Sequence, residues 1–229
     1  MEESQDWESR TWFWEVGKLR IFATISERRN LTAPFWYGIS ARSFFPGLDP
    51  FQYLEALFRT NAQIIQWREK DLPAEVLRPL VRFGSERAVE TGKIFLINSA
   101  TWAALLESAD GVHLTSTGSV TEAVRARRQS GRGEFLIGKS VHSVDEAIGA
   151  AAEGADYLLL GPVFDPLSKE RQMAPIGVDA LRSAVQQLQV PIFALGGIDR
   201  TNAELVLETG VAGVAGISWV KEEIEARMR

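Results

Sequence analysis

From about Pro34 onward, short and almost wholly apolar runs alternate with longer stretches whose apolar residues recur at helical spacing. The runs Phe35–Ser40, Gln63–Trp67, Ile94–Ile97, Gly111–Leu114, Leu136–Gly138, Tyr157–Leu160, Ile192–Leu195 and Gly213–Ile217 predict eight strands. Between them, helical spacing predicts helices over Pro50–Asn61, Ala100–Glu107, Val178–Leu188 and Thr201–Leu207, with a closing helix to Met228. Another is expected over Ser119–Arg128. One more follows Ser143, which sits three residues before Glu146 at capping-box spacing, and Gly154 ends it. The stretch Pro73–Glu90 is also helical in pattern, with a break expected near Pro79 or Gly84. The strands are continuous apolar runs, as parallel sheets buried on both faces require.

Eight strands, each with a following helix, predict an α/β fold closed as a single (β/α)8 TIM barrel over residues 34–229. A doubly wound sheet is the main competitor, but no G-x-G-x-x-G follows the first strand. Residues 1–33 stand outside this rhythm as an N-terminal extension. Thr11–Val16 and Leu19–Ser26 allow a hairpin around Gly17-Lys18, with Trp7, Trp12, Phe13 and Trp14 clustered there. Three roles fit: a hairpin packed on the barrel, a disordered lead, or a contact in a homo-oligomer anchored by tryptophan.

Composition narrows the function classes. A chain of 229 residues supports one large core, and a net charge of −5 offers no basic field for nucleic acid. Zero cysteines exclude disulfides and thiolate metal sites. No apolar run approaches the roughly 18 residues of a membrane span, and the acidic start MEESQDWESR is unlike a secretory signal. A cytoplasmic location with a small-molecule ligand is expected, without membrane or nucleic acid.

Candidate chemistry gathers just past the strand ends, the ligand-binding edge of parallel α/β folds. The seventh strand runs into Gly196-Gly197 and the eighth into Ile217-Ser218. Loops of this kind hold phosphate through backbone N–H groups, although glycines also serve tight turns. Gln66, Arg68 and Lys70 fall on one side of the extended second strand, two cations and an amide suited to a polyanion. His142, within Ser-Val-His-Ser, is a candidate proton carrier. His113 lies within the fourth strand, where a packed or hydrogen-bonded role is expected. Ser168-Lys169 lies in the long loop between Gly161 and Gly177 and suits a mobile anion clamp.

These motifs together resemble the thiamine phosphate synthase/TenI family. The carrying stretches are QWREKDL (66–72), LINS (96–99), ADGVHL (109–114), IGKSVHSVDEA (137–147), GADYLLLGPVF (154–164), PIGVDAL (175–181) and VPIFALGGIDRTNAELVLETGVAGVAGIS (190–218). The resemblance implies a (β/α)8 barrel, a thiazole phosphate ligand and a link to thiamine biosynthesis. The synthase of this family couples a hydroxymethylpyrimidine diphosphate to a thiazole phosphate with Mg²⁺. By resemblance, Gln66, Arg68, Lys70, Asn98, Ser140, Ser168 and Lys169 surround the diphosphate. Gly197, Ile217 and Ser218 surround the thiazole phosphate, and Gly177 lies near the ring.

The departures separate the family's activities. The synthase pattern has Asn-Asp where this chain has Asn98-Ser99, and that Asp is a Mg²⁺ ligand. A second acid is expected shortly after Val-His-Leu, yet His113–Gly118 contains no carboxylate. Pro-Thr-x-Thr-Lys appears here as Asp165-Pro166-Leu167-Ser168-Lys169. TenI-type relatives instead aromatise a thiazole carboxylate phosphate by moving a proton, without metal, and a His after the fifth strand is implicated. The leading expectation is therefore a TenI-like tautomerase, an isomerase with His142 as catalytic residue and no metal or cofactor. Thiamine phosphate synthase, a transferase requiring Mg²⁺, is the first alternative. A non-catalytic phosphate-ligand binding or regulatory protein is the second.

Overall fold

The computed structural model describes residues 24, 27, 29–69, 71–165 and 173–229. Eight parallel strands close into a barrel in sequence order: β1 (Phe35–Ile39), β2 (Ile64–Trp67), β3 (Ile94–Asn98), β4 (Gly111–Leu114), β5 (Leu136–Val141), β6 (Tyr157–Leu160), β7 (Ile192–Leu195) and β8 (Gly213–Gly216). β8 returns to pair with β1, Phe35 opposite Gly213 and Gly38 opposite Gly216. Around the barrel lie α1 (Pro50–Phe58), α2 (Ala74–Thr91), α3 (Thr101–Leu106), α4 (Val120–Ser130), α5 (Val144–Glu153), α6 (Gly177–Gln187), α7 (Ala203–Leu207) and α8 (Ser218–Met228). The (β/α)8 barrel expected from the pattern is the fold. No helix among the described residues is long and apolar enough to cross a membrane.

Local chemistry explains where the helices begin and end. Asp49 caps α1, accepting from the N–H groups of Phe51 and Gln52, with Pro50 in the first turn where its missing N–H loses nothing. Ser119 caps α4 and Ser143 caps α5, each accepting from the N–H three residues on. Gly92, Gly131 and Gly154 end α2, α4 and α5 at positive φ. The capping box expected at α5 forms only in part. Ser143 accepts from the Glu146 N–H at 3.1 Å, but the Glu146 carboxylate reaches one residue further back, to the His142 N–H at 2.8 Å.

Two expectations are corrected. α2 runs unbroken through both Pro79 and Gly84. Burial of Leu77, Leu80, Val81 and Ala88 against the barrel outweighs the one hydrogen bond that proline removes. Gly84 is a packing requirement, since a Cβ there would lie 2.3 Å from the Phe95 ring. At the other end of the chain, Thr24 and Glu27 are helical, so at Thr24 the second strand of the expected hairpin does not form. Thr11–Val16, the Gly17-Lys18 turn and the tryptophan cluster lie outside the described residues.

Side chains alternate between two cores. Ile65, Trp67, Phe95, Ile97, Val112, Leu158 and Leu160 point outward into the layer between strands and helices. Phe35, Tyr37, Ile64, Leu96, Leu136, Tyr157, Leu159 and Phe193 fill the barrel interior. Tyr157 fits there because its neighbour across the ladder is Gly138, where a Cβ would sit 1.9 Å from the tyrosine ring.

Candidate active site

The C-terminal strand ends form a polar mouth over the aromatic interior. His142 follows β5 and is half-buried. Its Nδ1 lies 2.6 Å from the Gly161 carbonyl at the end of β6. A carbonyl oxygen only accepts, so Nδ1 carries the hydrogen. Nε2 is then the unprotonated nitrogen of the neutral ring, able to take a proton. The Glu146 carboxylate holds the His142 backbone from the first turn of α5. One residue pair therefore starts the helix and fixes the chain that carries the imidazole.

The residues expected to hold phosphate lie at the ends of β7 and β8. Gly196 and Gly197 both adopt positive φ, and their neighbours come from the loop after β6. A Cβ on Gly196 would lie 2.6 Å from Pro162, and one on Gly197 would lie 2.7 Å from the Asp165 carbonyl. The two glycines thus serve both readings: they make the turn and keep the backbone open to close approach. Among the described residues the Gly197 N–H has no backbone partner. Ser218 is the first residue of α8, where helix N–H groups lack intrahelical acceptors, and Ile217 packs against the barrel interior.

The loop between β6 and α6 is stitched down at both ends. Val163 and Phe164 donate to the carbonyls of Leu195 and Gly196, and Ile176 and Gly177 donate to those of Pro162 and Val163. Gly177, at φ +74°, is thereby brought to the base of this loop. Ser168, Lys169 and Lys70 lie outside the described residues. Their expected place around a diphosphate stands as a reading of the sequence.

Gln66 points into the barrel, as the alternation of β2 requires, and is almost wholly buried. Arg68, two residues on, is exposed at the mouth, and its N–H donates to Ser40 Oγ at 2.7 Å. A continuous hydrogen-bonded chain crosses the interior below these residues. Ser140 Oγ lies 2.9 Å from His113 Nε2, and His113 Nδ1 lies 3.1 Å from the Tyr157 hydroxyl. Tyr157 meets the Tyr37 hydroxyl at 3.2 Å, and Tyr37 donates to Gln66 Oε1 at 3.0 Å. Gln66 Nε2 donates to Asn98 Oδ1 at 2.9 Å, and Asn98 Nδ2 donates to Ser99 Oγ at 3.0 Å. Burial, reinforced by the Arg68 cation, holds the His113 pKa down at about 3, so this ring is neutral. Burial raises both tyrosines above the ordinary phenol range. Gln66, Asn98 and Ser140, each expected at the site, are therefore joined to one another. Tyr37 and Tyr157 were missed, because each reads as one more apolar strand residue. Four interior-facing polar positions on β1, β2, β4 and β6 were the available signal.

Among the described residues, the ends of β3 and β4 offer no carboxylate to a divalent cation. Mg²⁺ takes hard oxygen ligands, usually one or two carboxylates with phosphate and water. β3 ends in Asn98-Ser99, and the turn after β4 offers Thr115 and Thr117, whose hydroxyls lie 3.3 Å apart. The nearby Glu69 carboxylate is engaged by the Ser40 hydroxyl and the Arg42 N–H. No cluster of three His, Cys, Asp or Glu able to hold a metal exists among the described residues.

With this geometry in place, known proteins give the chain its relatives. It is 37% identical over 193 residues to a putative thiamine-phosphate synthase from Geobacter sulfurreducens, covering 84% of this chain and 89% of that one. It is 32% identical over 196 residues to a thiamine-phosphate synthase from Caldanaerobacter subterraneus, with 84% and 89% covered. Among solved structures it superposes on a thiamine phosphate pyrophosphorylase from Pyrococcus furiosus with a TM-score of 0.69 and 31% identity, covering 84% of this chain and 94% of that one. An N-acetylmannosamine-6-phosphate 2-epimerase from Clostridium perfringens shares the fold alone, at 15% identity and a TM-score of 0.62. The family model described as thiamine monophosphate synthase matches residues 36–220, and the chain belongs to this TMP-TENI family.

Proposed function

We propose that this protein is a TenI-like thiazole tautomerase, with His142 as the proton carrier. The observation that carries this reading is the His142 geometry. The Gly161 carbonyl at 2.6 Å holds the hydrogen on Nδ1 and leaves Nε2 to receive a proton. In the reaction, Nε2 takes a proton from one position of a thiazole carboxylate phosphate and returns it at another. The ring becomes aromatic and the substrate neither gains nor loses an atom. The imidazolium formed in between keeps its Nδ1–H on Gly161, so the ring does not swing away between the two transfers. The open Gly197 turn and the start of α8 at Ser218 hold the phosphate, which fixes the thiazole relative to Nε2. Gln66, Asn98 and Ser140 line the floor on which the ring system rests.

A second reading, thiamine phosphate synthase, is favoured by the relatives, whose names support it better than they support the tautomerase. Arg68 at the mouth suits a diphosphate. The donor set at β3 and β4 weighs against it, because neither strand end offers a carboxylate to the metal.

One pair of assays separates the two. Wild type supplied with the non-aromatic thiazole carboxylate phosphate is expected to aromatise it with no added metal, and His142→Ala is expected to lose at least 100-fold of that rate. Wild type supplied with pyrimidine diphosphate, thiazole phosphate and Mg²⁺ is expected to release no diphosphate above background. Aromatisation at the uncatalysed rate would remove the first reading, and Mg²⁺-dependent diphosphate release would establish the second.

A further inference from the structure

The chain of hydrogen bonds from Ser140 to Ser99 has a direction, and that direction follows from counting protons. Tyr37 has one hydroxyl hydrogen, and it goes to Gln66 Oε1. The bond between the tyrosines must then use the hydrogen of Tyr157. Tyr157 has none left for His113, so His113 Nδ1–H donates to it. His113 is neutral, so its Nε2 has no hydrogen and accepts from the Ser140 hydroxyl. The Ser140 oxygen can therefore only accept from a ligand. At the far end the polarity is opposite. Ser99 accepts from Asn98 and keeps its own hydrogen, and Asn98 has a second amide N–H beyond the one given to Ser99.

We propose that His113, Tyr157 and Tyr37 are positioning residues that lock Ser140 as a hydrogen-bond acceptor and Asn98 with Ser99 as donors, so that the mouth selects a ligand presenting a donor toward β5 and an acceptor toward β3. The inference rests on the reading of this mouth as the ligand site. Its consequence is discrimination between tautomers of one ligand, since tautomers differ only in where a hydrogen sits. The wrong tautomer would set donor against donor or acceptor against acceptor, and polar groups that the bound ligand shuts off from water while leaving them unpaired are costly. The aromatic packing holds the two tyrosine oxygens in place along the relay. Tyr37, Tyr157 and Phe193 pack with ring centroids 5.5–6.1 Å apart, and Gly138 gives the Tyr157 ring its slot.

Nitrogen NMR reads the lock directly, because the chain has two histidines and His142→Ala assigns them. In the ligand-free wild type, His113 is expected as the Nδ1–H tautomer, unchanged between pH 5 and 8. Tyr157→Phe removes the acceptor of Nδ1–H and should give a mixture of tautomers. The same variant should lose at least tenfold in kcat for aromatisation, with affinity for inorganic phosphate within twofold of wild type. Tyr37→Phe frees the Tyr157 hydrogen to turn toward His113, and a population of Nε2–H should appear. A chain running the other way, with both amides turned over, would put the hydrogen of wild-type His113 on Nε2, and that result overturns the proposal. So does a Tyr157→Phe protein whose His113 tautomer matches wild type. The tautomer is measured without substrate, so loss of the lock and failure of the tautomerase reading are seen separately.

Discussion

The two rims of the barrel put their polar groups to opposite ends. At the N-terminal rim, Asp110 and Asp156 each stand one residue ahead of a strand and reach back to the previous one. Asp110 accepts from the Phe95 N–H at 2.8 Å and pairs with Arg29 at 2.6 Å. Asp156 accepts from the Ile137 N–H at 2.8 Å and pairs with Arg127 at 2.6 Å. Gln63 does the same for β1, accepting from the Trp36 N–H at 2.9 Å. Each side chain closes a strand start that would otherwise be orphaned, and each charge has a partner. At the C-terminal rim lie His142, the Gly197 turn, the exposed Arg68 and the start of α8, and among the described residues the Gly197 N–H has no backbone partner. The lesson is that the charged groups named at the bottom are paired within the fold, whereas the top, the ligand-binding edge of such barrels, is where the candidate ligand groups gather.

This contrast has consequences that can break it. The largest is expected at the top. His142→Ala should lower the aromatisation rate by about 10²–10⁴-fold, the range for a lost proton carrier. Its unfolding midpoint in urea should stay near that of wild type. A variant that lost stability as well would erase the division between the rims. At the bottom the pattern reverses. Asp156→Ala leaves the Ile137 N–H and Arg127 without their shared partner and should destabilise the barrel by about 3 kcal/mol. Activity per folded molecule should hold within twofold, as measured by titrating active sites after partial denaturant unfolding. Gly197→Ala lies between the two. Positive φ and the crowding against Asp165 should cost about 1–2 kcal/mol. Phosphate affinity should fall roughly tenfold by calorimetry.

The smallest effect sharpens the contrast through pH. Burial pushes Asp156 up to about 6, even though the Arg127 pair pulls it down. A folded pKa above the unfolded one means that this group favours folding fully below about pH 4, and that its contribution is lost as pH rises through 6. Asp199, at the top after β7, goes the other way. Hydrogen bonds from Thr201 and the Asn202 N–H hold it below the usual carboxylate range. Its contribution is present above that range and is lost as pH falls through its folded pKa. Carboxyl-carbon NMR titration should show the two aspartates shifting to opposite sides of the ordinary aspartate value. A common midpoint for both would remove this part of the comparison.

Much of the fold could be read from neighbours in sequence. The strands Gly111–Leu114, Tyr157–Leu160 and Ile192–Leu195 have the boundaries their apolar runs predict. Ser143 and Gly154 bracket α5 because capping and positive-φ termination act within one turn. α2 was misread at Pro79 and Gly84, since local propensity carries no information about the barrel surface that the helix covers. The candidate site was legible wherever its chemistry is local: His142 after β5, the glycines after β7 and Ser218 at the start of α8. The relay was not legible, because Tyr37 and Tyr157 are 120 residues apart and each alone looks like core.

The sequence by itself determined the eight-fold rhythm, the family motifs and the missing acids at Ser99 and in the turn after His113. These follow from periodicity and residue identity, which need no third dimension. Only the tertiary structure decided what the retained polar groups do. Closing the barrel brings Gly161 to His142, and that contact sets which imidazole nitrogen is free. The same closure stacks His113, Tyr157, Tyr37 and Gln66 across the interior and so gives Ser140 and Ser99 opposite polarity. A hydrogen bond is directional and short, and its meaning is fixed only when distant strands place donor and acceptor within about 3 Å.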